Sequence, residues 1–239
     1  MTYHLLLTAA LLALLFGPGP RLRIPTRIRT WLRNRRTGAG ASAAARAREL
    51  RTPGVRIADR LGIPTQRGAQ AARWAAGAEG ERRTAARLTA LEREGWTVLH
   101  DRALPRGRAN VDHLAISPLG RLYLPDTKRW SARYPVTVRD GRLFHGDYDV
   151  TDRLDGLHHE AQAVARALNL PVQPLVALDG PPIPSDGLVL DGLRIVPADG
   201  LCQELRDLDR TTQAPRRRPG PIAALADRLL PPYQQGRTR

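Results

Sequence analysis

The sequence predicts an α/β fold, a mixed central sheet flanked by helices, behind an N-terminal hydrophobic and basic segment. Three observations lead there. A helix-forming stretch, Glu79 to Glu94, stops at Gly95 and runs into three strand-like segments. A second helical pattern, Asp155 to Leu168, precedes another strand-like run, Val172 to Leu178. Short apolar hairpin patterns fill the remainder, and alternating helical and strand-like runs belong to sheets covered by helices.

In chain order, residues 1–36 come first. Leu5 to Phe16 is apolar apart from Thr8, shorter than the roughly 20 residues of a membrane span. Seven arginines follow, Arg21, Arg23, Arg27, Arg29, Arg33, Arg35 and Arg36. If the run inserts, positive charge stays inside, which puts the remainder in the cytoplasm. Ile24, Ile28, Trp31 and Leu32 make one apolar stripe among these arginines, the pattern of an interfacial helix on an anionic membrane surface. A short helix packed on protein, or an unused upstream start, stays open. Residues 37–70 are low in complexity and interrupted by Pro53 and Pro64, and read as a flexible linker.

The folded domain is expected over residues 71–210. In its first helix, Ala85, Leu88 and Leu91 form the buried stripe, and Glu81 borders it. A carboxylate on a buried edge needs a partner or a metal; a glutamate favoured by the helix dipole is the other reading. Trp96 to Leu99, Val111 to Ser117 and Arg121 to Trp130 read as strands. Val136 to Phe144 reads as a hairpin turning at Asp140-Gly141, and Leu188 to Val196 as another around Asp191-Gly192. In the helix Asp155 to Leu168, Leu157, Ala161, Val164, Ala165 and Leu168 turn inward, and His158 and His159 read as surface residues. Pro174 argues against a central place for the strand that follows. Leu201 to Leu208 reads as a helix. Residues 211–239 read as a basic tail with a short helix.

A chain of 239 residues suits one domain with extensions, or two small ones. The net charge of +15 favours an anionic partner, nucleic acid or an acidic membrane; solubility with arginine bias stays open. The single cysteine, Cys202, excludes an internal disulfide and a cysteine zinc cluster.

Lys128 is the only lysine among 38 basic residues. Arginine cannot stand in where chemistry needs a compact ammonium. If Pro118-Leu119-Gly120 is a three-residue hairpin loop flanked by Ser117 and Arg121, opposed positions sum to 238. Asp112 then faces Asp126, and Lys128 shares the face of Asp126. Opposed like charges ask for compensation, and carboxylate oxygens suit Mg²⁺. Such a set serves phosphodiester hydrolysis. A surface ion pair of Asp126 with Lys128, with Asp112 capping a turn, stays open, and Pro125 implies an edge or a bulge.

Gly80-Glu81, Leu99-His-Asp101, Asn110-Val-Asp-His113 and Asp126-Thr-Lys-Arg-Trp130 together resemble the nuclease-related domain family, NERD. That family is similar to the PD-(D/E)xK phosphodiesterases of restriction-endonuclease-like fold. The resemblance covers about residues 75–170, more loosely to 210, and implies Glu81 as the helix carboxylate. It implies Asp112 and Asp126, with Glu81, as metal ligands, and Lys128 as the catalytic lysine. Gln162 matches a glutamine on the following helix. The implied activity is Mg²⁺-dependent hydrolysis of DNA, with Mn²⁺ as a substitute. A non-catalytic nucleic-acid-binding or membrane-tethered module with the same fold is the alternative.

Overall fold

A computed structural model describes residues 38–105 and 109–233 of the protein. The expectations for residues 1–36 lie outside the described residues. Three helices come first: α1, Ala41–Leu50; α2, Pro53–Arg60; and α3, Gln66–Arg93. The linker expected over residues 37–70 is therefore helical through much of its length, and α3 begins well before Glu79. Alanine is the best helix former, and Ala43 and Ala47, four apart, bury one face of α1, which packs on α3. Pro53 does not interrupt: it opens α2 behind a Thr52 cap, where its missing N–H has no helical partner to lose. Thr65 caps α3 by accepting from Gly68 N–H at 3.0 Å.

The strands follow as β1 (Thr97–Ala103), β2 (Asn110–Ile116) and β3 (Leu122–Arg129). Three short strands, β4 (Val136–Arg139), β5 (Arg142–His145) and β6 (Tyr148–Asp149), form a separate antiparallel sheet. Helix α4, Asp155–Leu168, matches the sequence expectation at both ends. Then come β7 (Val172–Asp179), β8 (Leu188–Leu190), β9 (Leu193–Pro197), α5 (Leu201–Thr211) and α6 (Pro219–Leu229). The main sheet runs β1-β2-β3-β7-β9-β8. Strands β3, β7 and β9 are parallel and the other neighbours antiparallel, so the sheet is mixed.

Helices cover both faces. On one face Leu88 and Leu91 of α3 and Leu201 and Leu205 of α5 pack over Val98, Ala115, Tyr123 and Ala177. On the other, Leu157, Val164 and Leu168 of α4 pack over Leu114, Leu124 and Val176. Ile222, Ala223 and Ala226 of α6 join that second face. The expected basic tail is thus part of the core: Ala103 N–H donates to Pro231 O and Tyr233 N–H to Asp101 O, at 2.9 and 2.8 Å. Arg102, fully buried, donates to Asp227 at 3.0 Å and to Leu230 O at 3.3 Å. Among the described residues no helix is long and apolar enough to cross a membrane.

The β2–β3 loop has the expected form. Ser117 N–H donates to Arg121 O and Gly120 N–H to Ser117 O, both at 2.9 Å. Gly120 takes the left-handed φ of 73° that this loop requires. The register is Ala115 to Tyr123 and Ile116 to Leu122, the sum of 238 expected from the sequence. Pro125 and Pro174 both lie in central strands, against expectation. In the alternation that begins at Ser117 and Arg121, Pro125 turns toward β2, and the β2–β3 pairing ends before it. Its β7 pairing continues through to Arg129. Pro174 precedes the first β9 pair, Leu175 with Arg194. Each proline sits where one neighbouring ladder is not in use.

Candidate functional site

The site lies where β3 emerges from its pairing with β2. Side chains alternate along a strand. Leu122 and Leu124 face the α4 side, so Asp126 and Lys128 do too. Lys128 Nζ stands 2.6 Å from Asp126 Oδ2, with both side chains largely covered. Burial opposes the ammonium, but Asp126, and behind it Glu160 and Asp112, outweigh it and raise the Lys128 pKa. Lys128 therefore stays charged at neutral pH. The ion pair that the sequence left open is present, and it lies inside a cluster of acids.

Asp112 is half-buried, and its carboxyl is raised by desolvation, then by the charges of Asp126 and Asp101, with Lys128 pulling the other way. The hydrogen-bonded ladder does not reach the Asp112–Asp126 pair, yet the two charges act on each other as that register requires. Glu81 lies on the buried stripe of α3 rather than at its border, in line with Thr84, Leu88 and Leu91. Burial raises its carboxyl first, followed by Asp112, Asp101 and Asp126. Thr84 Oγ1 and Thr127 Oγ1 share a hydrogen bond of 2.6 Å, which ties α3 to β3 between Glu81 and Lys128.

Two further acids complete the cluster, and sequence reasoning missed both roles. Glu160 of α4 is pushed up to about 8 by burial, then by Asp126 and Asp112. Gln162, which the resemblance put here, is exposed on α4. Two residues turn a helix by about 200°, so Glu160 and Gln162 point in opposite directions. A usable signal existed: Glu160 lies three residues after Leu157 and four before Val164, on the edge of the apolar stripe, where the sequence had also placed Glu81 on its own helix. Asp101, buried and at a left-handed φ of 49°, accepts from Ser42 N–H at 3.0 Å and Asn110 Nδ2 at 2.9 Å. The first turn of α1 thus rests on the cluster, because Gly40 N–H also donates to Glu81. Gly40 has φ 75°, and a Cβ there would meet Ala78 O at 2.5 Å.

The motif histidines have a structural place. His100 and His113 oppose each other across β1 and β2, with Nδ1 to Nδ1 at 2.8 Å. Burial holds His100 down at about 4 and His113 well below its ordinary value. The pair is neutral and one ring donates to the other. His158 and His159 are exposed, as expected.

Residues 76–179 match the family model of the nuclease-related domain, NERD. This stretch of the chain is similar to a nuclease-related domain. The match runs from the middle of α3 to the end of β7 and contains all six charged residues of the cluster. No curated protein and no solved structure matches the chain. A nuclease-related domain points to a nucleic-acid partner and to a divalent metal. The donor chemistry fits such an ion: all the acids offer hard oxygens, and Glu81 Oε2 is buried without a hydrogen-bond partner. Among the described residues, no three acids, imidazoles or thiols stand together as a ready cage.

Proposed function

We propose that this nuclease-related domain hydrolyses phosphodiester bonds of DNA with Mg²⁺, or Mn²⁺ in its place. The observation that carries this reading is the convergence of Glu81, Asp112, Asp126 and Glu160 around the only lysine of the chain. Repelling carboxyls in a buried site are costly to ionise without a counter-charge. Asp112, Asp126 and Glu81 are the residues that would hold the cation, with Glu160 at its edge. A bound divalent ion would polarise the phosphoryl oxygen and lower the pKa of water.

The chain's own groups do the rest. Asp126 Oδ2 orients the Lys128 ammonium, which donates to a phosphoryl oxygen and offsets the charge that develops on it. The Gly40 N–H and the wall of α3 fix the Glu81 carboxylate. Thr84 and Thr127 hold the helix and the strand at a set spacing. Residues 1–36 would bring this domain to an anionic membrane surface on its cytoplasmic side.

The test is cleavage of linear and circular DNA by the full chain with Mg²⁺, Mn²⁺ or EDTA, beside Lys128→Ala checked for folding by circular dichroism. Metal-dependent cutting by wild type that disappears in the variant is expected. A folded wild type that cuts neither substrate with either metal overturns this reading. Salt-dependent DNA binding without cutting would then assign the chain to the non-catalytic binding modules.

A further inference from the structure

The chain is poor in aromatic residues, at 5%. Four of them, Trp130, Tyr134, Phe144 and Tyr148, nevertheless fall between residues 130 and 148, directly after the Asp126–Lys128 strand. Trp130 also packs against the core, but the two tyrosines are not explained as core. Tyr134 is 41% exposed and Tyr148 75% exposed, although burying a ring is among the larger apolar gains available to a fold.

Trp130, Tyr134 and Tyr148, with His145, form one surface. Trp130 and His145 lie 5.5 Å apart between centroids, and Tyr134 meets His145 edge-on at 5.9 Å. Tyr148 opposes His145 across the β5–β6 pair and so shares its face. Arg153 lies over Trp130, 5.6 Å from the ring centroid, and Arg133 lies 5.5 Å from that of Tyr134. The surface is continuous with the site, because Trp130 follows Lys128 by two residues and its N–H bonds Asp179 O at the end of β7. Half-exposed rings interleaved with guanidinium groups are a stacking platform with phosphate donors at its rim. Every nucleobase has a π-face that can stack there, whatever the sequence. In a duplex those faces are covered by neighbouring pairs, so such a surface is open only to unpaired nucleotides.

We propose that the surface of Trp130, Tyr134, His145 and Tyr148 holds unpaired nucleotides, so that the nucleic acid cut at Lys128 is single-stranded or carries a single-stranded end. The inference rests on the nucleic-acid reading of the neighbouring site. It deepens that reading by naming the strand state of the substrate. The sequence shows the aromatic residues, but only the β4–β6 sheet gathers them beside Lys128.

The experiment uses the full chain in EDTA, where binding is read without cutting. Its probes are a short fluorescein-labelled thymidine oligonucleotide and a blunt duplex of the same length. Wild type is expected to prefer the single strand. Tyr134→Ala and Tyr148→Ala each lower single-strand affinity by about tenfold, within the range for a base stacked on an aromatic side chain. Tyr148→Phe keeps it, and duplex affinity stays level in all three variants. Equal affinity of wild type for the two probes, or alanine variants that bind the single strand as wild type does, overturns the proposal. Cleavage is scored separately. Tyrosine-dependent single-strand binding by a protein that never cuts supports the platform and rejects hydrolysis. Metal-dependent cutting by a protein with no strand preference does the reverse.

Discussion

At the scale of single residues, the site is a balance of buried charge. One ammonium, Lys128, faces Asp112, Asp126 and Glu160, with Glu81 behind them. Lys128→Arg keeps the charge but replaces a compact head with a planar fork. Cleavage should be lost while DNA binding persists, which a gel-shift assay beside the cleavage assay checks. The acids also predict a pH effect. The Glu160 carboxyl is raised to about 8 in the fold from an ordinary 4.5, so the folded state holds its proton more tightly. That stabilisation is complete below the ordinary value and is lost as pH rises through the folded one. The metal-free protein should therefore melt at lower temperature at about pH 9 than at about pH 7. His100, held down near 4, acts oppositely and only below its ordinary 6.5, so it does not contribute to this slope. Glu81, raised to about 9, adds to the same slope, so Glu160→Gln should lessen it without abolishing it, and added Mg²⁺ should lessen it in wild type. Thermal melts followed by circular dichroism across this range decide it.

At the scale of elements, α1 is held by its first turn. Gly40 and Ser42 give their N–H groups to Glu81 and Asp101, acids of the core that satisfy the open end of the helix from outside it. Gly40→Val places a branched side chain at a left-handed φ and drives its Cβ toward Ala78 O. The expected loss is about 2 kcal/mol or more, read from the urea midpoint, and the displaced turn carries the residue 40 N–H away from Glu81. At the opposite edge, Arg102 ties β1 to α6 through Asp227 and Leu230 O. Arg102→Ala leaves the Asp227 carboxylate without that guanidinium, and a loss of about 3 kcal/mol is expected. The same denaturation experiment measures it.

At the scale of the whole molecule, the nuclease-related match ends at residue 179, but the sheet does not. Strands β8 and β9 and helices α5 and α6 close its far edge and cover both faces. A chain ending at residue 211 would uncover the apolar ground beneath Ile222, Ala223 and Ala226. It should bind a hydrophobic dye and lose its cooperative melt, whereas the full chain should show neither change. At the other end, the proposed membrane role of residues 1–36 predicts that the full chain floats with vesicles containing phosphatidylserine. A chain lacking those residues should remain at the bottom of the gradient.

Much of this was legible in the order of residues. Local patterns determined α4 to the residue, the β2–β3 loop and its register, and the shared face of Asp126 and Lys128. Each of these depends on contacts within a few positions, where periodicity and turn chemistry act directly. The solitary lysine and the spacing of the four motifs pointed to the site and its family. What the sequence could not decide depends on distant pairings. The chain around Gly40 reads as a linker until α3 gives Ala43 and Ala47 somewhere to be buried. Pro125 and Pro174 read as edge residues until the sheet shows which neighbouring ladder each leaves unused. Glu160 borders the apolar stripe of α4, but only the packing of that stripe on the sheet shows that it meets Lys128 while Gln162 meets solvent. Burial and charge proximity are properties of the assembled layers, so which acids lie near Lys128 was decided by the tertiary structure.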